Sequence, residues 1–127
     1  MRILIVEDDF ASRKFMMNFM SAYGDCDGTV DGMEAVEAYM MALEDEQPYD
    51  LICLDVMMPV MDGYEATAEI RKVSASVPII AVTAYAFAQD EQRIINSGFD
   101  AYTAKPINGK ILKDKISTLL THRIILM

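Results

Sequence analysis

The chain has 127 residues, 53% of them hydrophobic, which suits one domain with one sizeable core and argues against disorder. The net charge of −9 disfavours direct binding to nucleic acid, which usually needs a basic face. No apolar run approaches the ~20 residues that span a bilayer, and no signal peptide is visible, so we expect a cytoplasmic protein without a membrane segment. Cys26 and Cys53 form no framework or metal-ligand pattern and are expected to be reduced core residues.

Short apolar runs alternate with longer amphipathic segments along the chain. The short runs predict strands and the segments with helical periodicity predict helices. The predicted strands cover residues 2–6, 26–30, 50–55, 77–84 and 100–104. The predicted helices cover about 10–22, 32–43, the stretch after Gly63 to 72, 87–96 and 108–120.

Apolar residues at helical spacing predict which helix faces are buried. In the first helix these are Phe15, Met16, Phe19 and Met20, and in the second Met33, Val36, Tyr39, Met40 and Leu43. Gly24 is expected to end the first helix, and Asp31 is expected to cap the second. Most of the eleven methionines are therefore expected to fill the core.

Five continuous apolar strands separated by helices predict an α/β protein with a parallel sheet that is covered on both faces. Right-handed crossovers then give a doubly wound, five-stranded, three-layer sandwich. No internal repeat or linker is present, so residues 1–127 are predicted to form one domain. Sheets of this kind bind ligands at the carboxyl ends of their strands.

Polar residues follow four of the predicted strands at the points where these strands end. They are Glu7, Asp8 and Asp9 after the first strand, Asp55 in the third, Thr83 in the fourth and Lys105 after the fifth. Because the carboxyl ends of parallel strands share one edge, these side chains are expected to converge.

Converging carboxylates repel one another, and one lysine offsets only one negative charge. A hard divalent cation would offset more, and oxygen ligands without a His-rich or Cys-rich set suit Mg²⁺. A metal, a lysine and a hydroxyl beside a carboxylate that can act as a nucleophile predict a site for a phosphoryl group.

Four segments resemble the bacterial response-regulator receiver domain in order and approximate spacing. They are "ILIVEDD", "DLICLDVMMPVMDG", "PIIAVTA" and "AYTAKPI", and the resemblance covers residues 2–121. The resemblance implies a flavodoxin-like (βα)5 fold of the chemotaxis-regulator kind. It also implies a two-component phosphorelay in which Asp55 takes a phosphoryl group from a histidine kinase.

The resemblance further implies which residues hold Mg²⁺. In the family, four residues usually separate the acidic pair from a basic residue in the first helix, and Arg13 then selects Glu7 and Asp8 rather than Asp8 and Asp9. Asp8 would bind the metal directly and Glu7 through water. Asp55 and the backbone carbonyl of Met57 would complete the protein ligands.

The remaining roles implied by the resemblance concern switching. Thr83 matches the hydroxyl that moves to contact the phosphoryl group, and Tyr102 matches the aromatic residue whose rotamer reports activation. Lys105 matches the lysine that pairs with the phosphoryl group, and its peptide bond to Pro106 would be cis. Met57 and Tyr85 would flank the approach of water, so loss of the phosphoryl group is expected to be slow.

The expected partners are a sensor histidine kinase or phosphotransfer protein and a downstream protein. The downstream protein is expected on the face of the fourth helix, the fifth strand and the fifth helix, near Tyr85, Phe87 and Tyr102. Because the chain stops after the fifth helix, apart from an apolar tail, action by protein contact as a monomer or weak dimer is expected. A fragment of a larger chain is the other reading.

Two other functions are weighed against this one. A phosphatase or phosphotransferase with an aspartate nucleophile commonly needs a second acid two residues later, and Met57 stands there, which argues against an enzyme. A binding module without phosphorylation need not keep Glu7, Asp8, Asp55, Thr83 and Lys105 together.

Overall fold

Five strands alternate with five helices in the computed structural model, which describes residues 1–84 and 88–126, and their side chains except those of 88–90 and 122–126. The strands are β1 (Arg2–Val6), β2 (Asp25–Thr29), β3 (Leu51–Asp55), β4 (Ile79–Thr83) and β5 (Ala101–Ala104). The helices are α1 (Phe10–Met20), α2 (Gly32–Glu44), α3 (Gly63–Arg71), α4 (Ala88–Asn96) and α5 (Gly109–Leu126). The predicted alternation of strands and helices is confirmed.

All neighbouring strands pair in parallel, in the order β2-β1-β3-β4-β5. Because successive side chains of a strand point to opposite faces, the sheet has a core on each side. One core packs the sheet against α2, α3 and α4, and the other packs it against α1 and α5. The structure is therefore the predicted doubly wound, three-layer sandwich.

The buried face of α2 differs from the predicted one. Met33 and Leu43 are exposed, whereas Ala35, Tyr39 and Ala42 are buried. Small alanine side chains let the helix lie close to the sheet, and the larger apolar residues then fall at the margin of the contact. The observed face is therefore rotated from the predicted one rather than opposite to it, since Tyr39 is buried as predicted and Val36 packs against the same core.

The first helix also departs from prediction. Phe15 is 47% exposed, while Met16 and Met20 are buried as expected. The helix ends at Met20, before Gly24, whose role is a close approach rather than a cap. A Cβ at Gly24 would lie 2.2 Å from the carbonyl oxygen of Met1.

The prediction that methionines fill the core is only partly confirmed. Among those with described side chains, Met16 and Met20 are buried and Met17, Met58 and Met61 pack against the two cores, whereas Met1, Met33, Met41 and Met57 are exposed. Both cysteines are free thiols, as predicted, with Cys53 buried and Cys26 half-buried.

Two elements differ from their predicted bounds. The weak second strand is the edge strand β2, shifted one residue toward the N-terminus. The last helix continues to Leu126 rather than ending near residue 120, because no glycine or proline interrupts it after Gly109. Among the described residues, no helix combines the length and hydropathy needed to cross a bilayer.

A candidate phosphoryl site at the carboxyl edge of the sheet

Strand register brings the polar residues to one edge. Val6 of β1 pairs with Leu54 of β3, so the next residues along, Glu7 and Asp55, lie side by side. On the other side of β3, Thr83 at the end of β4 pairs with Ala104 of β5, and Lys105 follows directly. Four separate segments of the chain thus contribute to one site.

Three carboxylates form a group that fits a divalent cation. Glu7, Asp8 and Asp55 each offer an oxygen atom, and these oxygens lie within 4.8 Å of one another. Glu7 and Asp55 are each only 3% exposed, whereas Asp8 is exposed. Oxygen-only donors with one open side suit Mg²⁺, which keeps several of its waters.

Lys105 bridges two of these carboxylates. Its Nζ donates to Oε1 of Glu7 at 2.8 Å and to Oδ2 of Asp55 at 3.1 Å. Burial opposes the charge of Lys105, but the hydrogen bonds to the two carboxylates outweigh it and raise the pKa of this amine. Its backbone N–H donates to the carbonyl of Thr83 at 2.8 Å, and its peptide bond to Pro106 is cis, as expected.

The charge balance at Glu7 is different from that at an ordinary glutamate. Burial, and then the hydrogen bond with Asp55, raise the pKa of Glu7 to about 7, although Lys105 acts in the opposite direction. One amine shared by two buried carboxylates leaves negative charge to be compensated. With its pKa raised to about 7, Glu7 compensates this charge by holding a proton below neutral pH, and a bound cation would do so with its own charge.

Asp9 stands apart from this group. Its side chain caps α1 by accepting the Ser12 backbone N–H at 2.8 Å, which lowers the pKa of Asp9. Arg13 donates to the carbonyl of Glu7 at 2.9 Å and lies against the ring of Phe10. The group of three carboxylates contains Glu7 and Asp8 but not Asp9. This is the acidic pair that the spacing to Arg13 favours.

The loop after β3 orients the Asp55 carboxylate. The Met57 N–H donates to Oδ1 of Asp55 at 3.1 Å, while the Met57 side chain is 60% exposed. Gly63 was not predicted as a site residue, yet a Cβ there would lie 2.5 Å from the carbonyl oxygen of Asp55. The only hint in the sequence was the Asp62-Gly63 turn signal, which says nothing of this approach.

Thr83 and Tyr102 lie on the same face of the sheet, because Tyr102 pairs with Ala81, two residues before Thr83 on β4. Thr83 is buried beside the site. Tyr102 is half-buried between α4 and α5, where Glu91 accepts a hydrogen bond from its hydroxyl and raises its pKa. The Lys115 amine lies 4.4 Å from the centre of the Tyr102 ring and donates to the Tyr102 carbonyl. Tyr85 and Phe87 lie outside the described residues.

Such an edge, with clustered carboxylates and a lysine above a doubly wound sheet, defines a class of α/β proteins that hold a phosphoryl group beside a divalent cation. A model of the response regulator receiver domain matches residues 3–117, and the chain belongs to this family. Receiver domains are phosphoacceptor signalling domains rather than classical enzymes. Acceptance of a phosphoryl group on an aspartate, with Mg²⁺ in an acidic pocket, is typical of them.

The relatives are receiver-containing proteins of very different lengths. The chain is 37% identical over 120 residues to the two-component response regulator ORR41 of rice (Oryza sativa subsp. japonica), covering 94% of the chain and 91% of that protein. It is 36% identical over 122 residues to hybrid signal transduction histidine kinase I of Dictyostelium discoideum, covering 92% of the chain. The chain spans only 7% of the length of that kinase.

One solved structure shares the fold of this chain at more than 30% sequence identity. It is the receiver domain of the sensor histidine kinase PA1611 of Pseudomonas aeruginosa PAO1, at 32% identity and a TM-score of 0.82, covering 94% of this chain and 97% of that one. That receiver domain was solved with a magnesium ion coordinated in its active site cleft.

Proposed function

We propose that this chain is a receiver domain that takes a phosphoryl group on Asp55 from a phosphohistidine of a sensor kinase or phosphotransfer protein. The observation that carries the proposal is the position of the Asp55 carboxylate. It is buried, one oxygen faces the Met57 N–H and the other faces Lys105, and it shares a cation-sized group with Glu7 and Asp8.

The transfer is a displacement at phosphorus. An oxygen of Asp55 attacks, the bond from phosphorus to the histidine nitrogen breaks, and the electron pair stays on the imidazole, which takes up a proton. Lys105 neutralises phosphoryl oxygens, and the hydroxyl of Thr83 offers them a hydrogen bond. Mg²⁺, held by Glu7, Asp8, Asp55 and the Met57 carbonyl, would supply further positive charge at the phosphoryl oxygens.

An apolar hollow beside the site supports docking of the donor protein on this edge. The hollow has a volume of about 340 Å³ and lies between α1 and the segment that leads into α5. Lys105 lines both the hollow and the site, and Phe15, Pro106 and Ile107 form much of the remaining wall. Because a phosphohistidine must reach Asp55 from the open edge, a donor helix can pack on this surface during transfer.

The downstream response is proposed to use the α4, β5 and α5 face. Tyr102 joins all three elements through its contacts with Glu91 and Lys115. A phosphoryl group that draws Thr83 toward it would change the space available beneath Tyr102, and a partner that binds one arrangement better shifts the population.

A cytoplasmic location and a monomer or weak dimer stay part of this proposal, and cell fractionation and light scattering would test them.

The first test is intact-mass analysis after incubation with acetyl phosphate and Mg²⁺. The wild-type chain is expected to gain one phosphoryl group, and Asp55→Asn is expected to gain none. Asp9→Asn is the matched control, because asparagine still caps α1 and position 9 is outside the carboxylate group. Equal gains in wild type and Asp55→Asn would assign the phosphoryl group to another residue.

The donor surface has its own test. Phe15→Ala is expected to slow transfer from an autophosphorylated kinase or phosphotransfer protein that phosphorylates the wild type, yet to leave the reaction with acetyl phosphate unchanged. Met41→Ala, also exposed but on α2, is the control. Slowing of both reactions by Phe15→Ala would mean that the substitution damages the site rather than the docking surface.

A further inference from the structure

The loop of residues 56–62 is folded back on itself. At its base, the Gly63 N–H donates to the carbonyl of Val56 at 2.8 Å. Near its tip, the Met61 N–H donates to the carbonyl of Pro59 at 2.7 Å, and Val60 between them has a φ of 68°, in the left-handed region. That conformation is energetically unfavourable for a β-branched residue, so surrounding contacts must hold Val60 in place.

One such contact comes from outside the loop, at the start of α2. The Gly32 N–H donates to the carbonyl of Met61 at 3.0 Å. This N–H belongs to the first turn of the helix, where backbone donors have no partner within the helix. The loop carbonyl therefore satisfies the helix, and the helix in turn fixes the tip of the loop.

The approach leaves no room for a side chain. A Cβ at Gly32 would lie 2.3 Å from the carbonyl oxygen of Met61 and 2.9 Å from its carbonyl carbon. Both atoms are backbone, so relief would require a displacement of the loop or of the helix rather than a new rotamer. Gly32 is used here because only a residue without a Cβ permits this contact.

The consequence reaches Asp55 through the same loop. Met57, in the loop, donates its N–H to Oδ1 of Asp55, and Gly63, at the end of the loop, lies against the Asp55 carbonyl. We propose that Gly32 is a positioning residue for the phosphoryl site: its contact with Met61 holds the loop that orients the Asp55 carboxylate. This inference rests on the function proposed above.

Gly24 provides a matched control for the test. A Cβ at Gly24 would lie 2.2 Å from the carbonyl oxygen of Met1, which is also a backbone atom. Met1 precedes β1, so this clash is at the amino end of the sheet, opposite the site. Gly24→Ala and Gly32→Ala therefore impose the same kind of steric cost, but only the second pushes on the loop.

The two variants are compared by thermal unfolding, by Mg²⁺ titration and by the initial rate of phosphorylation with acetyl phosphate. Both are expected to unfold at a lower temperature than wild type. Gly32→Ala alone is expected to bind Mg²⁺ more weakly and to react about tenfold to a hundredfold more slowly, since small misplacements of reacting groups have effects of this size. Gly24→Ala is expected to stay within about twofold of wild type.

Losses for Gly32→Ala no larger than those for Gly24→Ala would overturn the inference. Failure of the wild type itself to take up a phosphoryl group would instead overturn the proposed function. Amide hydrogen exchange in the wild type provides a second measurement that needs no variant. Mg²⁺ with beryllofluoride should slow exchange at the Gly32 amide but not at the Asp25 amide, which donates to the Met1 carbonyl. Equal effects at both amides, or none at Gly32, would also count against a positioning role.

Discussion

The affinity of the protein for Mg²⁺ is expected to rise with pH because Glu7 must lose a proton before a cation can use the carboxylate group. Burial and the neighbouring Asp55 raise the pKa of Glu7 to about 7. In the metal-free protein, Glu7 is then protonated below neutral pH and ionised above it. Mg²⁺ favours the ionised form, so binding releases the proton.

The size of the effect follows from this pKa. At about pH 6 roughly a tenth of the molecules carry an ionised Glu7, and at about pH 8 roughly nine tenths do. The apparent affinity should therefore change by on the order of tenfold between these two pH values, equivalent to about 1.4 kcal/mol. Mg²⁺ binding should release close to one proton at the lower pH and close to none at the higher.

Isothermal titration calorimetry in buffers of different ionisation enthalpy measures both the affinity and the number of released protons. Glu7→Gln should bind Mg²⁺ with little dependence on pH, and Asp9→Asn should behave as wild type because Asp9 is exposed and caps α1. If the wild-type affinity is the same at both pH values and no proton is released, Glu7 is already ionised at the lower pH. The assignment of a shared proton to the site would then be wrong.

The stability of the metal-free protein should change in the opposite direction. A carboxyl group whose pKa is higher in the folded chain than in the unfolded chain stabilises the fold most at low pH. The contribution of Glu7 is fully present below its ordinary pKa of 4.5 and is lost as the pH rises through about 7. Saturating Mg²⁺ should raise the unfolding temperature more at about pH 8 than at about pH 6.

Three further predictions concern other residues. Asp8→Ala should weaken Mg²⁺ binding more than Asp9→Ala, because only Asp8 belongs to the carboxylate group; equal losses in titration would overturn the choice of pair. Thr67→Val should stabilise the fold by about 1 kcal/mol in urea unfolding, since the buried Thr67 hydroxyl has no hydrogen-bond partner among the described residues; a lower unfolding midpoint would contradict this. Thr83→Ala should still accept a phosphoryl group but show smaller amide shifts in β5 with beryllofluoride, and shifts equal to wild type would exclude coupling through Thr83.

The sequence by itself determined the order of elements and the edge where the site lies. Strand β3 consists of four apolar residues followed by Asp55. In a strand that is buried on both faces, a carboxylate at the carboxyl end indicates a functional site there. Parallel strands place their carboxyl ends together, so residues far apart in the chain could be assigned to one site without a structure.

Only the tertiary structure decided which surfaces meet and how closely. The burial of Ala35 and Ala42 instead of Met33 and Leu43 depends on the distance between α2 and the sheet, which no periodicity records. The same holds for Gly32, whose need to lack a side chain arises from a loop almost thirty residues away in the chain. The raised pKa of Glu7 likewise requires burial and a neighbour at Asp55. These properties belong to contacts between segments, and a sequence pattern describes segments one at a time.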